Sequence, residues 1–236
     1  MYKPKVIVIC GPTASGKTAL SIELAKKING EIISCDSMQI YKDMNIGTAK
    51  VTEDEMQGIC HYLIDFVSPD ERYSVADYKV DSEKAIEKII SKGKTPIIVG
   101  GTGLYIDSLI YGIEYPEIKF DEKYRNELEK EADEKGLETL YNKAKEIDEQ
   151  AMQKISINDR KRIIRVLEIY HATGKNKTEQ EIESRKKEIK YDYKIFAINM
   201  DREKLYERIN IRVDRMLENG LIEEVENLQK KYNHFP

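Results

Sequence analysis

The stretch GPTASGKT, residues 11–18, follows the apolar run VIVIC and precedes the amphipathic segment ALSIELAKKI. Its spacing, G-x-x-x-x-G-K-T, leaves consecutive backbone N–H groups free to surround a phosphate chain. Lys17 adds a point charge and Thr18 a metal-directed hydroxyl. A strand before the loop and a helix after it complete the context, because a helix N-terminus offers unpaired donors and partial positive charge to an anion. Gly11, Pro12, Thr13, Ala14, Ser15, Gly16, Lys17 and Thr18 are thus the candidate phosphate-binding residues. A turn that merely joins strand to helix would explain neither the lysine nor the threonine. The loop alone does not specify ATP.

Outward from this loop, short apolar runs ending in turn-like segments recur: EIIS before CDSMQIY and PIIV before GGTG. Each reads as a buried parallel strand whose carboxyl end opens into a loop, and in open α/β sheets that edge is where ligands bind. The three loops are expected to converge. A fourth strand, KIFAIN, arrives much later, followed by a helical pattern through DREKLYERINIRVDRMLENGLIEEVENLQKKY with Asp201 as its N-cap. Arg208, Arg212 and Arg215 recur there at helical spacing and can share a face near the same sheet edge. The fold class is α/β, a parallel sheet flanked by helices.

From Pro116 to about Tyr191 the texture changes to long, charged helical segments with no strand-like run, as a helical insertion into an α/β core would read. The expected division is 1–115 for the first part of the core, 116–191 for the insertion, and 192–236 for the last strand and helix. Charge within the insertion is uneven: residues 117–152 hold 12 acidic and 7 basic side chains, residues 153–194 hold 7 acidic and 12 basic. In the basic half, NDRKRIIRVLEIYHATGK sets Lys161, Arg162 and Arg165 three and four residues apart on one helix surface. Taken alone, such a run reads as a solvated helix face.

Composition bounds the function classes. The chain has 236 residues, 35% of them charged, and a net charge of −4. That length can bury a sizeable core, and any nucleic-acid contact must come from a local basic patch rather than from global charge. Cys10, Cys35 and Cys60 are odd in number and form no C-x-x-C, which suggests neither a disulfide framework nor a zinc site and fits a reducing cytoplasm. The five-residue apolar run before the loop is too short for a signal peptide core or a membrane span.

Asp36 follows a buried strand at the same edge as the phosphate loop. A carboxylate there can ligate magnesium or take a proton, and the residues favour neither; a plainer role is an Asx-turn or N-cap. The GGTG loop lets backbone approach a ligand and presents Thr102 beside it. His61 lacks a second ligand pair with metal spacing and reads as structural, with His171 and His234 on the surface.

Taken together, GPTASGKT, then DSMQIYKDMNIGTAK, then VGGTGLYIDSLIYG, then NDRKRIIRVLEIYHATGK closely resemble the bacterial tRNA dimethylallyltransferase family, over nearly the whole chain. The resemblance implies a P-loop-type core that transfers a five-carbon prenyl group from dimethylallyl diphosphate to N6 of the adenosine 3′ of the anticodon; a cytoplasmic monomer is expected. The loop then holds the diphosphate, which is the leaving group, with Arg212 and with Mg2+ near Thr18. By the same resemblance Asp36 takes the proton of the adenine amine, and Ser37, Met38 and Gln39 line the pocket of the target base. Thr102, Arg125 and the stretch Lys161, Arg162, Ile163, Ile164 and Arg165 correspond to further tRNA-contacting positions, so the basic helix face becomes an anticodon-stem grip. Two departures stand out. Val51 replaces a common proline after Thr48-Ala49-Lys50, a minor loop change. The sequence also stops at HFP, where family members continue into a Gly-Tyr-Arg-type RNA-contacting segment, so a truncated chain with weaker RNA affinity is expected. Alternatives are an isopentenyltransferase acting on free adenine nucleotides, a P-loop small-molecule kinase, which would turn over ATP, and a non-catalytic RNA-binding module.

Overall fold

The computed structural model describes residues 3–113, 115, 121–185 and 188–233. Five parallel strands form one sheet in the order β3-β2-β4-β1-β5: β1 Lys5–Cys10, β2 Gly30–Cys35, β3 His61–Tyr62, β4 Thr95–Gly100 and β5 Asp192–Ala197. Helices α1 (Lys17–Ile28), α2 (Glu53–Met56) and α3 (Val75–Ser91) connect the first four, and α4 (Gly103–Ile110) follows β4. From β1 the chain works across one side of the sheet, and β5 later pairs on the other side of β1. The loop after β1 therefore sits where the strand order reverses, the usual ligand position in such sheets.

β1, β2 and β4 read as apolar runs because both of their faces are covered. Val6, Val8, Ile33, Cys35 and Ile98 pack with Tyr78, Ile86 and Ile89 of α3 and with Tyr105 and Leu109 of α4. Alternate residues Ile9, Ile32 and Ile97 pack on the opposite face with Ile22 and Ala25 of α1. At roughly 1.5–3 kcal/mol for each fully buried Val, Leu or Ile, this two-sided core is what holds the strand ends in place.

The chain divides into two compact units, Met1–Ile110 with Ile189–Pro236, and Tyr111–Glu188. The second is helical among the described residues: α5 Glu122–Lys135, α6 Leu137–Ile147, α7 Glu149–Met152, α8 Arg160–Thr173 and α9 Lys177–Arg185. Leu128, Leu140, Met152, Ile163, Ile164 and Leu167 form its own core. Asp121, Asp148 and Asp159 cap α5, α7 and α8 by accepting backbone N–H groups. Pro116 and His234 lie outside the described residues.

Three details depart from the sequence pattern. β5 begins two residues before KIFAIN and ends at Ala197; it is an edge strand, and its Ile195 and Phe196 are exposed. The short edge strand β3 has too few residues for a periodic signal. The terminal helical pattern divides into α10 (Arg202–Glu218) and α11 (Leu221–Lys231) at Asn219-Gly220, where Gly220 adopts a left-handed φ of 94°. Among the described residues no helix is long and apolar enough to cross a membrane.

Candidate active site

The loop of residues 11–18 wraps the N-terminus of α1, with Ala14 and Gly16 left-handed at φ 59° and 92°. Gly11 is required by space as well as by φ 149°, since a Cβ there would stand 2.9 Å from the Ile198 carbonyl oxygen. Lys17 Nζ donates to the carbonyls of Gly11 (2.9 Å) and Pro12 (2.7 Å), so its ammonium folds back over the loop. Burial holds Lys17 below its ordinary pKa; Asp36 opposes that shift and Arg212 adds to it. Ser15 is 6% exposed, and its hydroxyl has no partner among the described residues. An orphaned buried hydroxyl inside an anion loop is what a bound phosphate would satisfy.

Arg212 reaches the loop from α10, donating from Nη1 to Thr13 Oγ1 at 2.9 Å. Asp201 caps α10 by accepting from Glu203 and Lys204 N–H, as its place in the sequence predicts. Arg208 and Arg215 line the same cleft as Arg212, because spacings of three and four residues put all three on one face. Only Arg212 is singled out by the resemblance; the shared face carries the other two.

Asp36 leaves the end of β2 and does two things at once. Its Oδ1 accepts from the N–H of Met38 (2.9 Å) and Gln39 (3.3 Å), the Asx-turn of the plainer reading. It also lines the cleft close enough to Lys17 to favour that ammonium's charge. Thr102 fastens the third loop to the second: its N–H donates to Cys35 O (3.2 Å) and its Oγ1 accepts from Ser37 N–H (3.0 Å). Gly100 permits this approach, since a Cβ there would lie 1.9 Å from Cys35 O. Gln39 turns its amide to the carbonyls of Thr48 and Ala49, at 3.1 Å each. Cys35 is no nucleophile, because burial pushes its thiol up to about 12.

Residues 13–18, Asp36, Gln39 and the three arginines line a cleft of about 900 Å³ that also takes in Ile46, Val51, Ile211 and Met216. One end is cationic and the walls are partly apolar, a combination suited to a ligand with a charged head and a short hydrocarbon tail. No cluster of three or more His, Cys, Asp or Glu able to hold a metal exists among the described residues. A magnesium ion bound through one hydroxyl, substrate phosphates and water needs none, and Thr18 on the cleft wall fits that donor set. His61, also on the cleft, is held by Nδ1 against Ile59 O at 2.9 Å, in keeping with a structural role.

The remaining candidates belong to the helical unit. Lys161, Arg162 and Arg165 are exposed on α8, whereas Ile163 and Ile164 are fully buried. The two isoleucines are therefore corrected from contact residues to core residues: in the stretch KRIIR the helical repeat turns them inward when the cations turn out. Arg125 and Arg165 both bond Glu168, from Nη1 to its two oxygens at 3.1 and 3.3 Å. Glu168 had no sequence signal beyond its spacing to Arg165. His171 stacks on Tyr124 with ring centroids 3.8 Å apart and stays half exposed.

The IPP transferase family model matches residues 39–235. The tRNA dimethylallyltransferase of Acetivibrio thermocellus is 58% identical over 223 residues, 94% of this chain and 71% of that protein. The crystal structure of the full-length tRNA isopentenylpyrophosphate transferase from Bacillus halodurans superposes with a TM-score of 0.66 at 43% identity, covering 97% of this chain and 71% of that one. A eukaryotic dimethylallyltransferase captured acting on tRNA gives a TM-score of 0.81 at 37% identity, over 98% of this chain and 57% of that one.

Proposed function

The chain belongs to the IPP transferase family and is a prenyltransferase that modifies tRNA, and we propose that its donor is dimethylallyl diphosphate and its acceptor N6 of the adenosine 3′ of the anticodon. The observation that carries the donor assignment is the cleft itself, where the 11–18 loop, Lys17 and Arg212 make a cationic end beside apolar walls.

The chemistry follows from charge. As the allylic C–O bond breaks, positive charge spreads over the five-carbon unit and negative charge builds on the departing diphosphate. The loop N–H groups, Lys17 and Arg212 are fixed in advance where that anion grows, so they stabilise the transition state more than the ground state. Magnesium, held by Thr18 and the phosphates, would supply further charge neutralisation. On the other side the exocyclic amine forms the new N–C bond and must lose a proton. Asp36 has one oxygen committed to its turn and the carboxylate's second oxygen left to accept that proton. Ser37, Met38 and Thr102 sit beside Asp36 to receive a base turned out of its stack.

The helical unit, expected over 116–191, is assigned to gripping the anticodon stem through Lys161, Arg162, Arg165 and Arg125. The protein is assigned to the cytoplasm as a monomer. The test is incubation with dimethylallyl diphosphate or ATP, each with tRNA or AMP as acceptor, scored by acceptor mass. A gain of one prenyl unit on tRNA alone is expected. Prenylated AMP, or phosphorylated product from ATP, would refute the assignment.

A further inference from the structure

The loop at residues 43–50 forms one wall of the cleft through Asn45, Ile46, Thr48, Ala49 and Lys50. It is an irregular segment, with Asp43 and Ala49 both left-handed at φ 63° and 47°, and such conformations persist only when their surroundings impose them. We propose that Glu224 of α11 is a positioning residue for prenyl transfer: its carboxylate clamps the 45–47 backbone and, through that loop, sets Gln39 behind Asp36. This rests on the prenyl-transfer reading above.

Glu224 Oε2 accepts from the N–H of Asn45 (2.9 Å) and Ile46 (2.7 Å), and Oε1 from the N–H of Gly47 (2.9 Å). Three successive amides on one carboxylate form a charge-assisted grip that a single hydrogen bond would not give. Gly47 meets α11 closely, for a Cβ there would lie 3.2 Å from Leu221 Cδ1. A second tie, from Lys231 Nζ and Tyr232 Oη to Asp43, holds the start of the same loop. The far end then passes the constraint on. The carbonyls of Thr48 and Ala49 receive the Gln39 amide, and Gln39 N–H donates to Asp36 Oδ1. Bonds thus run without a break from α11 to the carboxylate assigned to the acceptor amine. None of them touches the 11–18 loop, which is held by β1, α1 and Arg212. Glu224 should therefore govern the transfer step and leave diphosphate binding alone.

Glu224→Gln is the sharpest test, because it keeps the shape and replaces one accepting oxygen with an NH2 that cannot accept. Three measurements are made on the full chain: amide hydrogen exchange at residues 45–47, affinity for inorganic pyrophosphate, and transfer from dimethylallyl diphosphate to an anticodon stem-loop under single turnover at saturating RNA. Exchange is expected to speed up and transfer to slow about tenfold, the scale of a small misplacement of reacting groups, with pyrophosphate affinity unchanged within about twofold. Faster exchange with undiminished transfer would overturn the proposal by making the clamp purely structural. Parallel loss of pyrophosphate binding would overturn it too. If Glu224→Gln does not fold, Glu224→Asp, which keeps the charge and shortens the reach, takes the same measurements. Absence of transfer by the unsubstituted protein would count against the proposed function, and unchanged exchange in the variant would still refute the clamp.

Discussion

Asparagine and alanine at position 36 separate the two roles of that residue. Asp36 Oδ1 accepts two backbone N–H groups, at 2.9 and 3.3 Å. Asparagine retains an accepting oxygen of the same reach, so Asp36→Asn keeps the turn and loses only its charge. Hydrogen bonds to a charged group contribute about 1.5–3 kcal/mol against about 0.5–1.5 for neutral ones, so weakening two of them costs about 2–3 kcal/mol of stability. Alanine removes the acceptor and leaves both N–H groups to water, a larger loss of about 3–6 kcal/mol on the same scale. The chemistry moves further. A general base contributes about 10²–10⁴-fold, which is roughly 3–5 kcal/mol of barrier at 1.36 kcal/mol per factor of ten. Asp36→Asn is therefore expected to unfold in urea at a lower midpoint than the parent but a higher one than Asp36→Ala, and to bind pyrophosphate normally, yet to transfer prenyl groups at least about 10²-fold more slowly in a single turnover. Near-parental transfer by the asparagine variant would show that Asp36 is only a turn residue, and the proton would need another acceptor.

Three further outcomes are expected. Lys17→Ala and Arg212→Ala each weaken pyrophosphate binding, read by calorimetry, while tRNA binding changes little; loss of RNA affinity alone in Arg212→Ala would contradict its bond to Thr13 as the functional orientation. Replacing Lys161, Arg162 and Arg165 together by alanine weakens tRNA binding and flattens the slope of log affinity against log salt, because fewer counterions are released; an unchanged slope would return α8 to an ordinary solvated face. At the opposite end of the strands, burial raises the pKa of Glu31, but hydrogen bonds from Lys94, Lys92 and Tyr62 outweigh it and hold the carboxyl at about 2, below an ordinary 4.5. A depressed carboxyl stabilises the fold above the unfolded value and loses that contribution as pH falls, so Glu31→Gln should shrink the drop in melting temperature between pH 4.5 and about 2. An equal drop in both proteins would remove Glu31 from the acid response.

The phosphate loop, four of the five strands and the helical texture of the insertion are legible because each is written in contiguous residues. GPTASGKT carries its donors and its lysine within one turn, and VIVIC, EIIS and PIIV are short apolar runs because their strands are covered on both faces. The motif resemblance fixed the family for the same reason. What lay outside the sequence was the partnering of distant residues. Nothing near Glu224 announces that it holds the amides of residues 45–47, nor does Gly100 announce that Cys35 O leaves no room for a Cβ. The resemblance counts Ile163 and Ile164 among RNA contacts, and only the folded helix turns them into its core; that Arg125 and Arg165 share Glu168 is likewise visible only in space. Local pattern sets which backbone a segment adopts, since propensity, capping and periodicity act over a few residues. Which oxygen satisfies which amide is decided only when the sheet and helices close, because that pairing depends on position in space and on the cost of leaving buried polar groups unmatched.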